Sequence, residues 1–324
     1  MKNRLAALSD VHILGSNPVG RKDVLTDVQW EKLDYVYTFA RRVDADVAFA
    51  GDIFNGSNNY HLLKKASEFF SRYKNAGVTT YSVFGQHDMK YRNKEDTNLD
   101  ILAASGVVNI LGSVPVDCGH FRVYGASWND PIPVPDQREI VNLLVIHAPI
   151  SPSALFHGHG YTSISEFVEA HPMFDIIITG DVHRTFAEEY NGTVVLNSGP
   201  LLRKEADEYN MIHKPGFFFI DMNEITFTFQ QVDHASAREV ISRKHIEKKR
   251  VKEISAAIAD TAHFLDELRT RTASGQFMNI RERIKDRIEN SPASTGAKSV
   301  LEYLLGERDL NSWLQERLQN QGWA

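Results

Sequence analysis

One cysteine, Cys118, in 324 residues leaves no internal disulfide and no paired-cysteine zinc or redox site. The chain has no run of about 18 apolar residues, the length a helix needs to cross a bilayer, so no membrane span is expected. The apolar stretch near the start, Leu5-Ala6-Ala7-Leu8, stops at Ser9-Asp10 and is too short for a signal-peptide core. Positive charge is not in excess. Against 42 Asp and Glu stand 36 Lys and Arg, a formal net charge of −6, which excludes a polycation that holds nucleic acid by bulk charge. No repeat of fixed period is visible. What is left is a globular chain of one large or two smaller domains, for which a reducing cytoplasm is the natural location.

The charge that is present is unevenly placed. Residues 1–233 hold 20 basic and 29 acidic side chains, a net −9, whereas residues 234–324 hold 16 and 13, a net +3. The pattern changes at the same place. In the first part short apolar runs alternate with helical stretches. Arg4–Ser9, Asp46–Ala50, Val78–Phe84, Phe121–Ser127, Asn142–Ala148 and Phe174–Thr179 read as strands. Val28–Val43 reads as a helix with Trp30, Leu33, Val36, Tyr37 and Ala40 on one face, and His61–Asn75 as another. Four strand-like runs between Thr185 and Val232 close this part. Strands alternating with helices, then strands alone, predict an α/β fold with two sheets packed face to face and helices outside. Residues 234–324 read as a helical extension, with Ile254, Ile258, Leu265 and Leu268 at helical spacing. A boundary at 233/234 is therefore expected.

The residues that carry chemistry sit just after the apolar runs. They are Asp10 and His12, then Gly51-Asp52, then Gly85-Gln86-His87-Asp88, then His147, then Gly180-Asp181-Val182-His183. In an open sheet, ligands bind beyond the carboxyl ends of the strands. Several ionised carboxylates gathered there would repel one another, and a pair of divalent cations removes that cost. Imidazole, carboxylate and amide oxygen suit Mn, Fe or Zn. Asp52 is the candidate to bridge the two ions. A lone His ending a strand, as His147 does, is more often structural, and it gains weight here only from the order of the other groups. His157-Gly158-His159 has no strand before it and reads as a solvated loop.

Asp-x-His, Gly-Asp, Gly-Asn-His-Asp/Glu, a lone His and Gly-His-x-His, in that order, resemble the calcineurin-like metallophosphoesterases, and this chain keeps the order over residues 10–183. Gly51-Asp52-Ile53-Phe54 and Asn197-Ser198-Gly199-Pro200-Leu201 are similar to segments of the SbcD-type DNA-repair nucleases. The resemblance implies a four-layer α/β/β/α sandwich with the helical C-terminal extension as a cap or partner-docking element. It implies one ion on Asp10, His12, Asp52 and His183 and a second on Asp52, Gln86, His147 and Asp181. It implies a metal-bridged hydroxide attacking phosphorus, His87 assisting the leaving oxygen, Asp88 orienting His87, and Arg184 pairing with a phosphate oxygen. Two positions depart from the family pattern: Gln86 stands where Asn is usual and Asp181 where His is usual. Both can still coordinate, and the added oxygen favours Mn or Mg over Zn.

The function so implied is a two-metal phosphodiesterase, a DNA exo- or endonuclease subunit of the SbcD type, with DNA, an SbcC-type coiled-coil ATPase and a second copy of the chain as expected partners. The alternative is a metallophosphoesterase acting on a small nucleotide or phosphomonoester, which the net −9 of residues 1–233 favours. A non-catalytic scaffold is the third reading, and the His87-Asp88 pair argues against it. The run Arg243–Lys252, with six basic residues and one acid, reads as a solvated helix face or as a phosphate-backbone contact.

Overall fold

The computed structural model describes residues 1–136, 138–153 and 160–252. The strands in chain order are β1 (Arg4–Leu8), β2 (Asp46–Phe49), β3 (Thr80–Ser82), β4 (Asn109–Ile110), β5 (Val116–Asp117), β6 (Phe121–Ala126), β7 (Val141–His147), β8 (Ile150–Ser151), β9 (Thr162–Ser163), β10 (Ile176–Gly180), β11 (Phe186–Tyr190), β12 (Thr193–Asn197), β13 (Gly216–Asp221) and β14 (Thr226–Gln231). The helices are α1 (Leu25–Arg42), α2 (Tyr60–Asn75), α3 (Asn98–Ala104), α4 (Ile164–Ala170), α5 (Glu208–Ile212) and α6 (Ala237–Val240).

Two six-stranded sheets carry the fold, in the orders β14-β13-β1-β2-β3-β4 and β11-β12-β10-β7-β6-β5. Strands β1 to β4 are mutually parallel, as are β6, β7, β10 and β12, while β13 and β14 at one end of the first sheet and β11 and β5 at the two ends of the second pair antiparallel with their neighbours. The central strands are buried on both faces, so they read as unbroken apolar runs rather than alternating ones.

Three apolar layers account for that burial. Leu5 and Ala7 of β1 and Ile220 of β13 meet Val123 of β6, Leu143 and Val145 of β7 and Ile178 of β10, so the sheets pack face to face. On the other face of the first sheet, Ala6, Leu8 and Phe49 pack against Leu33, Val36 and Tyr37 of α1 and Phe70 of α2. On the other face of the second, Leu144, Ile146 and Ile177 pack against Phe167 and Val168 of α4. The result is the α/β/β/α sandwich.

Residues Met1–Ser153 and Tyr161–Arg243 form one compact unit. The expected boundary at 233/234 falls inside its edge, because α6 belongs to this unit and Ile241 bridges Arg21. The second unit takes 154–160 and 244–324. Of it, the segment 244–252 continues a helical stretch that starts at 243. The helices read over 254–318 and the loop His157-Gly158-His159 lie outside the described residues.

Candidate metal centre

Register delivers the candidate ligands to one edge. Leu8 of β1 lies beside Phe49 of β2, so the two chain ends emerge together and stay hydrogen-bonded beyond the strands: His12 N donates to Asp52 O at 2.9 Å and Ile13 N to Ile53 O at 2.7 Å. In the second sheet Gly180 is the register partner of His147. His147 Nδ1 faces the Ala50 carbonyl at 2.6 Å, which fixes Nδ1 as the protonated nitrogen and turns Nε2 into the cleft as a lone pair. A buried network joins the sheets at the same edge. Ser9 Oγ donates to Asn197 Oδ1 at 2.8 Å, and Asn197 Nδ2 donates to the Val182 carbonyl at 2.8 Å. The Asn197-Ser198-Gly199-Pro200 turn therefore holds both the Asp10 loop and the His183 loop.

The backbone bends sharply at these residues. Asp10 and His12 have φ of 50°, Asp52 51° and Asp181 79°, all left-handed. Such conformations cost about 1–3 kcal/mol each and concentrate at functional sites. Close approach sets the glycines beside them. A Cβ on Gly85 would run into the Asp52 amide and carboxylate, and one on Gly51, itself at φ 83°, would run into the His147 ring.

The side chains converge. Asp52 Oδ2 lies 3.7 Å from His12 Nε2 and 3.6 Å from His147 Nε2. His12 Nε2 is 3.0 Å from His183 Nε2, which is 3.7 Å from Asp10 Oδ1. Gln86 Oε1 is 2.9 Å from His147 Nε2, and Gln86 Nε2 donates to Asp181 Oδ1 at 2.6 Å. Three triads have ligand atoms within 4.8 Å of one another: Asp10, His12 and His183; Asp10, Asp52 and His147; and His12, Asp52 and His87. All seven residues expected as ligands are thus brought together.

Their environment fits divalent ions. Asp10 Oδ2, Asp52 Oδ2 and His12 Nδ1 are buried without a protein hydrogen-bond partner, an arrangement that costs free energy unless something else satisfies those atoms. Burial, with Asp88 and Asp10 nearby, pushes the Asp52 carboxyl up to about 8 against the pull of His147. Burial, reinforced by Lys204 and the neighbouring imidazoles, drives His12 well below the usual range and keeps it neutral, the form that ligates. Burial also pulls on His147, but Asp52, Asp10, the Ala50 carbonyl and Asp181 outweigh it and raise that imidazole. Cations of charge +2 among these groups would reverse the cost of ionising Asp52.

One expected contact is replaced by others, and one nearby cation was missed. Asp88 does not meet the His87 ring. Its two oxygens accept from the amides of Phe54 (2.9 Å), Gly85 (3.1 Å) and Ile53 (3.3 Å), so it ties the loop after β2 to the loop after β3. His87 is exposed, and its ring meets the His12 ring edge-on at 4.8 Å. Arg184 is exposed and lies over the Tyr209 ring at 5.5 Å. Lys204 was not anticipated. It donates to Asn55 Oδ1 at 2.9 Å and is close enough to depress His12 and His87 electrostatically. Its only sequence signal is its place just beyond the Asn197–Pro200 turn.

Among solved structures, the chain is similar to the protein TT1561 of Thermus thermophilus, at 14% identity and a TM-score of 0.46 over 71% of this chain and 99% of that one. It is similar to an archaeal phosphodiesterase, at 11% identity and a TM-score of 0.39 over 71% and 99%. It is also similar to a 5′-nucleotidase precursor of Thermus thermophilus, at 11% identity and a TM-score of 0.38 over 79% and 59%. No curated protein matches the chain by sequence. Residues 3–185, which contain every ligand candidate, match the calcineurin-like phosphoesterase family, and the chain belongs to that family.

Proposed function

We propose that the chain is a two-metal phosphodiesterase that hydrolyses DNA, a nuclease subunit of the SbcD type. The observation that supports the metal pair most directly is Asp52 Oδ2, buried, unpartnered and set between His12 and His147. Asp10, His12, Asp52 and His183 would hold one ion and Asp52, Gln86, His147 and Asp181 the other, and such a pair supplies Lewis-acid charge at phosphoryl oxygens and a nucleophile from water at neutral pH. The oxygen-rich set favours Mn.

The chain's own groups do the rest. His87, exposed beside His12, is placed to donate a hydrogen bond or proton to the leaving oxygen. Burial, then Lys204 and the other imidazoles, hold its imidazole below the usual range, and an arriving phosphate anion opposes them. Arg184, exposed next to His183 in sequence, is the candidate for holding the phosphate, and Lys204, whose charge reaches Asp52 and Asp10, is a second. Asp88 acts through the backbone it anchors, not through His87.

The basic segment 243–252 is the segment assigned to the DNA backbone, and residues 253–324 are assigned to docking the coiled-coil ATPase. Linear DNA, bis-p-nitrophenyl phosphate and p-nitrophenyl phosphate, each with Mn, test the reading. Charge reversal at Lys248, Lys249, Arg250 and Lys252 should weaken DNA cleavage, and flatten its salt dependence by roughly 0.9 per lost phosphate contact, while sparing the small diester. Hydrolysis of the monoester alone would favour the small-substrate enzyme, a reading that the net −9 of residues 1–233 supports.

A further inference from the structure

A second cluster of charge lies away from the candidate ligands. Lys32 of α1 and Arg203 are 6% and 3% exposed, yet neither has a carboxylate within ion-pair distance among the described residues. Lys32 Nζ makes one hydrogen bond, to the Leu201 carbonyl at 3.1 Å, and Arg203 donates to the Ala235 carbonyl at 3.2 Å. Both line a cavity of about 480 Å³. Arg21 is a third cation on its wall, but its charge is taken by a double contact to Asp23, at 2.7 and 2.6 Å. The other carboxylates on the wall, Glu31 and Asp233, are exposed. Val28, Tyr35 and Val240 make the remaining wall partly apolar.

Burying a cation with no carboxylate in contact is costly, and two together more so; Asp23, already paired with Arg21, offsets this only in part. The fold relieves part of this by loosening a proton. Burial, then repulsion from Arg203 and Arg21, brings the Lys32 ammonium down to about 7. An anion seated between the two cations would remove the cost outright.

We propose that this cavity is a phosphate-binding site, separate from the metal centre, in which Lys32 and Arg203 grip the phosphate group of a small phosphorylated molecule or free phosphate. Arg203 supplies the planar fork that matches phosphate oxygens, and Lys32 a point charge. The apolar wall leaves room for an attached organic body. This inference does not depend on the metal centre's substrate.

The test is the unfolding temperature of the full chain, metal-loaded and chelator-stripped, as inorganic phosphate is raised against chloride at constant ionic strength. A ligand that binds only the folded state raises that temperature. A rise is expected in both preparations. Lys32→Met should need at least about tenfold more phosphate for the same rise, the scale of one lost charge-assisted contact. Arg203→Met, a second variant in case the first does not fold, should behave alike. A nucleoside monophosphate is titrated in parallel. Tighter binding than phosphate assigns the site to a phosphorylated molecule, and equal binding assigns it to free phosphate. No rise in the stripped parent, or an unchanged response in both variants, overturns the proposal.

Discussion

Gln86 donates to Asp181 at 2.6 Å, so the two positions at which the chain departs from the usual family pattern touch each other. The amide is one methylene longer than the usual Asn, and the carboxylate is shorter than the usual His. The long side chain reaches across the space the short one leaves. Two departures that compensate in one contact differ from two independent losses. Gln86→Asn and Asp181→His should each lower metal-activated hydrolysis, and the double variant should lie above the product of the two singles. Contacting residues couple by about 0.5–3 kcal/mol. The measurement is a double-mutant cycle on bis-p-nitrophenyl phosphate with Mn and with Zn. Strict additivity would mean that the contact carries no energy.

His87 and Asp88 should separate in the same assay. The His87 side chain is exposed, and the hydrogen bond His87 gives the site, to Asp52 Oδ1 at 2.8 Å, comes from its backbone amide, so His87→Ala should keep its metal and lose turnover by about 10²–10⁴-fold. Asp88 satisfies three amides, and each one orphaned costs about 1–3 kcal/mol. Asp88→Ala should therefore lower the unfolding temperature and metal content together. Parent-like stability in Asp88→Ala would refute the anchoring role.

Lys32 gives a pH dependence of definite sign. Its ordinary value of 10.5 falls to about 7 in the fold. Between those values the unfolded chain binds the proton and the folded chain does not, so this group's contribution to stability rises with pH over that window. Its penalty is full below about pH 7 and gone above about 10.5. In phosphate-free buffer, the stability of Lys32→Met relative to the parent should be greatest near pH 6 and shrink toward pH 10. Chemical denaturation across pH measures this, and a constant difference would contradict it.

Much of this was legible in the sequence because the central strands are buried and read as apolar runs, each ending in a glycine or a ligand or followed by one two residues on. Helices α1 and α2 are long enough to display their period. Helices α3 and α4, of seven residues each, are not, and they were missed although Thr97 caps one and Ser163 with Glu166 forms a capping box on the other. The ligand order pointed to seven residues that the fold brings close together. It could not place Asp88, because adjacency in sequence says nothing of which way a buried carboxylate turns, and three nearby amides claimed it. Lys204 and the Lys32–Arg203 cavity were invisible for a related reason. They depend on contacts between segments well over a hundred residues apart, and no local pattern marks them.

Asp52 is the proposed shared ligand of two ions. Elemental analysis of the purified parent and of Asp52→Ala, both loaded with Mn and freed of excess, tests it directly. Two ions per chain in the parent and essentially none in the variant is the predicted result, because one lost carboxylate removes the counter-charge between both. Two tightly held ions in Asp52→Ala, or none in the parent, would contradict the account.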